Sequence, residues 1–169
     1  MPTFELEREA QPHESIATRY QSLIRLAESI RAQRDPRELF NLLARELCRV
    51  VQFDAIAQYD EGANKVHWHL GWRCRPHAAT PRVELPKEET LAWWVHHHQE
   101  PVLISRVDLE TRFPAAMEQL RANGLQSVGA VPLSTAHRRL GSLVIASERP
   151  NAYSEDEMGF FALAASQIE

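Results

Sequence analysis

The sequence has no apolar run of the roughly 20 residues that a helix needs to span a bilayer. Its first residues, Met-Pro-Thr-Phe-Glu-Leu-Glu, lack the features of a secretory signal peptide. Basic runs are also missing, and the formal net charge is −4, which argues against nucleic-acid binding by this segment. We therefore expect a cytoplasmic domain that binds neither membrane nor nucleic acid directly.

Cysteine is scarce, because Cys48 and Cys74 are the only two, and they do not make a disulfide framework. We expect Cys48 to be a small apolar side chain on a helix. The sequence contains no Gly-x-x-x-x-Gly-Lys-Ser/Thr loop, no Gly-x-Ser-x-Gly elbow and no His-Glu-x-x-His string. We predict that the chain is not an enzyme and requires no cofactor.

Two apolar segments, 124–133 and 140–147, lie in the second half of the chain. In the first, Val128 and Ala130 fall on one face of a strand, and Val131 and Leu133 fall on the other. A strand that is apolar on both faces must be covered on both. The pattern predicts two neighbouring antiparallel strands at the centre of a sheet.

Helix and turn signals surround these two strands. Asp35-Pro36 begins one helix, and Ser154 with Glu157 forms a capping box at the start of the last helix. Residues 54–59 and 65–70 flank a turn and predict a hairpin. Mixed helices and short antiparallel strands indicate an α+β sandwich, with the terminal helices on one face and the middle helices on the other.

The same patterns suggest domain boundaries. We predict a flexible arm over residues 1–14 and a single domain over 15–169, with its first helix at 15–33 and its core at 36–169. The sequence stops within a helical pattern, so we expect an output domain to follow in the natural protein. Apolar residues on the first and last helices repeat at spacings of three and four, which favours both sheet packing and homodimer formation.

Histidines are the candidates for metal binding. His67 and His69 lie two apart on a strand and point to the same side, and Cys74 follows in a loop. Their spacing matches no established metal motif, so we predict no metal and retain these three as the candidates should one bind.

A second histidine group, His96-His97-His98, falls within a helix, where consecutive side chains diverge by about 100° and cannot share one ion. Of the three, His98 shares the apolar stripe of Leu91, Trp94 and Val95, and we expect it to be partly buried.

Several strings resemble GAF domains. They are residues 43–51 before Phe53-Asp54, Thr111-Arg-Phe-Pro114, residues 124–133, and Arg139-Leu-Gly-Ser-Leu-Val-Ile-Ala-Ser147 followed by Tyr153-Ser-Glu-Asp-Glu157. The resemblance covers about residues 36–169 and is closest to the N-terminal sensory GAF domains of sigma-54-dependent transcriptional activators of the formate-hydrogenlyase-activator type. It implies a profilin-like six-stranded antiparallel sheet, terminal helices on one face, and a small-molecule pocket under short helices and loops on the other.

The resemblance and the sequence pattern together predict a sensory domain that binds an unidentified small molecule and signals through its terminal helices. The residues that we expect to face this ligand are Tyr59, His67, His69, Trp72, Trp94, Arg112, Met117, Gln126 and Val128. Tryptophan would supply apolar walls, and Arg112 would pair with an anionic group. Two alternatives stay open: a dimerisation module without a ligand, and a metal or redox sensor.

Overall fold

A computed structural model describes residues 21, 24–25, 42, 44–48, 51–70, 84–134 and 139–166. The predicted arm at 1–14, most of the predicted first helix and the loop at 71–83 lie outside the described residues. Gln21, Ile24 and Arg25, within the predicted first helix, are helical. The domain boundaries therefore stay predictions.

Five strands form one antiparallel sheet in the described residues. They are β1 (Ala55–Asp60), β2 (Lys65–Leu70), β3 (Val102–Ile104), β4 (Ser127–Ser134) and β5 (Arg139–Ser147). Their order is β2-β1-β5-β4-β3, whereas the resemblance implies six strands. The predicted antiparallel pairing of β4 with β5 is confirmed, with Ser127 opposite Ser147 and Leu133 opposite Gly141.

In the described residues, one 3-10 helix and three α-helices with complete bounds accompany the sheet, in addition to shorter helical stretches such as 44–48. A short 3-10 helix at Lys87–Glu89 leads into α1 (Leu91–His98), α2 (Pro114–Ala122) lies between β3 and β4, and α3 (Glu155–Ala165) follows β5. The predicted cap of α3 is confirmed, because Ser154 Oγ accepts a hydrogen bond from the Glu157 backbone at 3.1 Å. In the described ranges, no helix combines the length and apolar character that a membrane crossing requires.

Alternate residues of the central strand β5 belong to two different cores. Leu143 and Ile145 pack in one core with α3 and the helical residues 44–48. Val144 and Ala146 pack in the other core with α1 and α2. This confirms the prediction that the central strands are buried on both faces, with the last helix and the middle helices on opposite sides. Most of the predicted first helix lies outside the described residues.

Two glycines allow backbone and side chains to approach the central strands closely. A Cβ at Gly129 of β4 would overlap the Met158 Sδ of α3. A Cβ at Gly141 of β5 would overlap the backbone oxygen of Tyr59, and Gly141 has a φ of +151°, which side chains disfavour. The pairing of β5 with β1 therefore requires glycine at position 141.

We expect Gly141→Ala to lower the free energy of unfolding by more than about 2 kcal/mol, because overlap with a rigid backbone atom adds to the strained φ. The measurement is chemical denaturation followed by circular dichroism. Gly159→Ala is the matched control: it lies on an exposed part of α3, where an added Cβ meets nothing. Alanine there should stabilise by about 0.5–1 kcal/mol, and equal effects of the two substitutions would contradict the steric explanation.

Candidate functional site

A cavity lies between the sheet and the two middle helices, on the face opposite α3. The side chains that line it come from β2, from the start of α1, from α2 and from β5; they are Trp68, Thr90, Leu91, Ala92, Ala116, Gln119, Leu120 and Val144. The empty space measures about 260 Å³ when the part open to solvent is included. Its enclosed part has room for about one water molecule.

Thr90 fixes the start of α1 above this cavity. Its hydroxyl donates to the Lys87 carbonyl at 2.6 Å and accepts from the Trp93 backbone N–H at 3.2 Å. Thr90 is therefore both the last capping residue of the 3-10 helix and the N-cap of α1. As a result Leu91 and Ala92 lie at the cavity, where both are buried.

Two buried polar contacts fix the rotation of α1 on the sheet. The Ser142 hydroxyl of β5 donates to the Ala92 carbonyl. His96 Nδ1 lies 3.3 Å from the Gly141 carbonyl, and since a carbonyl oxygen only accepts, Nδ1 carries the hydrogen. These contacts turn Leu91, Ala92, Val95 and His96 toward the sheet.

The prediction for the histidine group was therefore wrong about which residue is buried. His96 is 7% exposed, whereas His97 and His98 are exposed. His97 stacks on Trp93 with ring centroids 4.7 Å apart, and His98 stacks on Trp94 at 4.1 Å. The three rings diverge, as the helix geometry requires.

A polar cluster surrounds His96 at the far end of α1. The His96 ring lies 4.9 Å from that of Tyr59, and its Nε2 is 3.7 Å from a carboxylate oxygen of Glu61. Tyr59 donates its hydroxyl hydrogen to the Asn64 side chain at 2.9 Å. Burial, followed by the charge of Glu61, raises the pKa of Tyr59. The cluster thus ties α1 to the β1–β2 hairpin.

Four of the predicted ligand residues lie on the cavity side without lining the cavity. Tyr59, Met117 and Val128 are buried in the core that includes α1 and α2. Trp94 is half-buried and meets the edge of Phe113 at 5.0 Å. All four therefore belong to, or pack against, the core that contains most of the cavity lining.

The other predicted ligand residues lie elsewhere. His67 pairs in register with Gln58, and because side chains alternate along a strand, it lies on the opposite face from Trp68. His69 pairs with Ile56; its side chain, like all of Trp72 and Cys74, is outside the described residues. Gln126 is exposed, and its backbone bonds to Val107 and Ser147.

Arg112, the predicted anion-binding residue, pairs with its own loop. Its Nε and a terminal nitrogen donate to the Glu110 carboxylate at 2.9 and 3.2 Å. The same carboxylate accepts from the backbone N–H groups of Thr111 and Arg112. The Arg112 side chain, followed by its backbone, lowers the pKa of Glu110 to about 2.

The described residues offer little for a metal. They contain no group of three or more His, Cys, Asp or Glu side chains that could hold an ion. Cys48 lies in the helical residues 44–48 and packs half-buried against the core, as expected, and its sulfur is in a disulfide. A sulfur in a disulfide is not the thiolate that metals bind.

The lining residues could be found only in part from local signals. Val66 and Trp68 alternate with polar residues, which predicts that Trp68 lies on an apolar strand face. Thr90, three residues before Trp93, has the spacing of an N-cap. The 3–4 spacing of Ala116, Gln119 and Leu120 is that of one helix face. None of these signals distinguishes a cavity wall from an ordinary core.

We expect Glu110 to titrate with a pKa of about 2 in an NMR titration of its side-chain carboxyl. In Arg112→Gln the pKa should return toward the ordinary value of 4.5. Because folding lowers this pKa, the ionised Glu110 carboxylate stabilises the folded state. This contribution to the free energy of unfolding is full above the unfolded-state pKa and is lost as pH falls from about 4.5 to about 2. Arg106→Gln is the control, since Arg106 pairs with Asp108 instead; an equal shift in that variant would disprove the assignment.

Several solved structures share this fold. The GAF domain of an Acinetobacter phosphoenolpyruvate-protein phosphotransferase is 19% identical over 88% of this chain and 89% of its own, with a TM-score of 0.64. The GAF domain of a sensor histidine kinase from Bacillus halodurans is 19% identical, over 79% and 90%, with a TM-score of 0.61. Free methionine-R-sulfoxide reductase from Neisseria meningitidis is 16% identical, over 89% and 86%, with a TM-score of 0.65.

Identities this low establish the fold alone, and no curated protein matches the chain significantly. The family model described as "GAF domain" matches residues 35–169, which is nearly the range of the resemblance noted in the sequence. The chain belongs to the GAF domain family.

Proposed function

We propose that this domain is a sensory module that binds a small molecule in the cavity and passes its binding state to a fused output domain. The main support is that one strand, β5, contacts both the cavity and the core that contains α3 and the helical residues 44–48. Val144 of β5 lines the cavity, while its neighbours Leu143 and Ile145 pack in the core of α3.

The shared strand suggests a route for the signal. A ligand that pushes α1 or α2 away from Val144 also changes the force on β5, whose next residues contact the opposite core. The ligand must bind two arrangements of the domain with different affinities, because otherwise no change is transmitted. The terminal helices are the elements through which an output domain would detect the difference.

The family context agrees with this role. GAF domains are found in sensory proteins, such as the Bacillus halodurans histidine kinase. The Neisseria meningitidis reductase structure contains that enzyme's substrate. We further propose that the output regulates transcription, as in the sigma-54-dependent activators that the sequence resembles.

We propose a binding role rather than a catalytic one. The eight lining side chains include no cysteine and no acidic or basic group. The cavity therefore offers no nucleophile of the usual strength and no general acid or base.

A second candidate function is a dimerisation module with a filled pocket. The small enclosed space favours it, since there is room for about one water molecule. Leu163 on α3 also favours it, because this apolar side chain is 49% exposed. Dimerisation through the terminal helices is compatible with sensing.

We expect native mass spectrometry of protein purified without added ligand to detect a retained small molecule in the wild type. Ala116→Leu fills the cavity wall and should reduce the occupied fraction at least about tenfold. Glu118→Leu is the control, because Glu118 lies on the exposed side of α2. A wild type that carries no added mass would favour the dimerisation module instead.

We expect Leu163→Glu to weaken homodimer formation at least about tenfold, since it places a charge in an apolar contact. Sedimentation equilibrium measures the effect. Leu109→Glu is the matched control: Leu109 is 65% exposed and lies in the loop between β3 and α2. A monomeric wild type, or equal effects of both substitutions, would rule out this interface.

A further inference from the structure

We infer that the cavity selects a small, uncharged and largely apolar ligand. This inference rests on the proposed function and names the chemical class that the site accepts. It follows from three properties of the lining: its apolar composition, the engagement of its polar groups, and the absence of charge.

Apolar side chains make up six of the eight lining residues. Trp68 provides a large ring on one side, and Ala92 and Ala116 provide short side chains on the two helices. Such a surface gains from contact with carbon and loses nothing to unpaired polar groups. It favours a ligand whose body is hydrocarbon.

The two polar members of the lining are already engaged. The Thr90 hydroxyl donates one hydrogen bond and accepts another within the turn that begins α1. Gln119 is 3% exposed and has an interaction partner of its own. A strongly polar ligand would therefore lose more hydrogen bonds to water than the lining returns.

Among the described residues, none of the lining side chains is charged, and such a wall disfavours an ionised ligand of either sign. An anion would also approach Glu88 and Glu89, which stand directly before α1 and are both exposed. Arg112, the predicted partner of an anion, does not line the cavity and pairs with Glu110. A cation would find no carboxylate in the wall.

Size is limited as well. The enclosed room holds about one water molecule, so a ligand with one ring must displace part of the wall on entry. A larger rigid molecule would have to separate α1 from α2 further. We therefore expect molecules larger than one ring to be excluded.

The test compares benzyl alcohol, benzoate and benzylammonium, which share one ring and differ in charge. Binding to the 169-residue chain is followed by NMR through the indole N–H signal of Trp68, identified by its loss in Trp68→Phe; the chain has four tryptophans. We expect benzyl alcohol to bind at least about tenfold more tightly than either charged compound. Ala116→Leu should abolish this binding, and Glu118→Leu should leave it unchanged.

Three outcomes would overturn the inference. They are binding of a charged compound as tight as that of benzyl alcohol, binding that survives Ala116→Leu, and no shift of the Trp68 signal with any of the three. If Ala116→Leu does not fold, Ala92→Leu on α1 tests the same wall. The proposed function is decided separately by native mass spectrometry, so a retained charged molecule would refute the ligand class and leave the sensory role intact.

Discussion

The pairing of β5 with both of its neighbours is the constraint on which the rest of the domain depends. β5 bonds to β1 on one side and to β4 on the other. Gly141 allows the β1 backbone to come close, and the adjacent Ser142 holds the Ala92 carbonyl of α1. The sheet centre and the position of α1 are therefore set by consecutive residues of one strand.

This arrangement makes the cavity a property of helix placement. Leu91 and Ala92 reach the cavity because Thr90 starts α1 at the right residue and Ser142 fixes its rotation. Both contacts are hydrogen bonds made by buried hydroxyl groups, and such bonds are costly to leave unmade. Because the lining then consists mainly of carbon, recognition there depends on shape and apolar contact.

Two ion pairs lie in the loop between β3 and α2, and none of their four residues lines the cavity. Between β3 and α2, Arg106 pairs with Asp108 at 2.7 Å and Arg112 pairs with Glu110 at 2.9 Å. These pairs organise a surface loop, and exposed pairs of this kind contribute little to stability. In both pairs the acidic partner lies two residues from the arginine in the sequence. Arg112, which the sequence suggested as an anion-binding residue, is therefore engaged within its own loop and does not line the cavity.

The sequence by itself determined the elements whose signals are local. The cap formed by Ser154 and Glu157, the two-sided apolar pattern of β4 and β5, and the hairpin of β1 and β2 all depend on residues within a few positions of one another. Alternation also established that His67 and Trp68 lie on opposite faces of β2. It did not say which face holds the cavity.

Only the tertiary structure decided that choice and the rotation of α1. An apolar stripe of Leu91, Trp94, Val95 and His98 was as consistent with the sequence as the observed inward face, which replaces Trp94 and His98 with Ala92 and His96. The deciding contacts join Ala92 to Ser142 and His96 to Gly141, residues 50 and 45 positions apart. Hydrogen bonds over such separations form only when the whole sheet is assembled, so local periodicity cannot predict them.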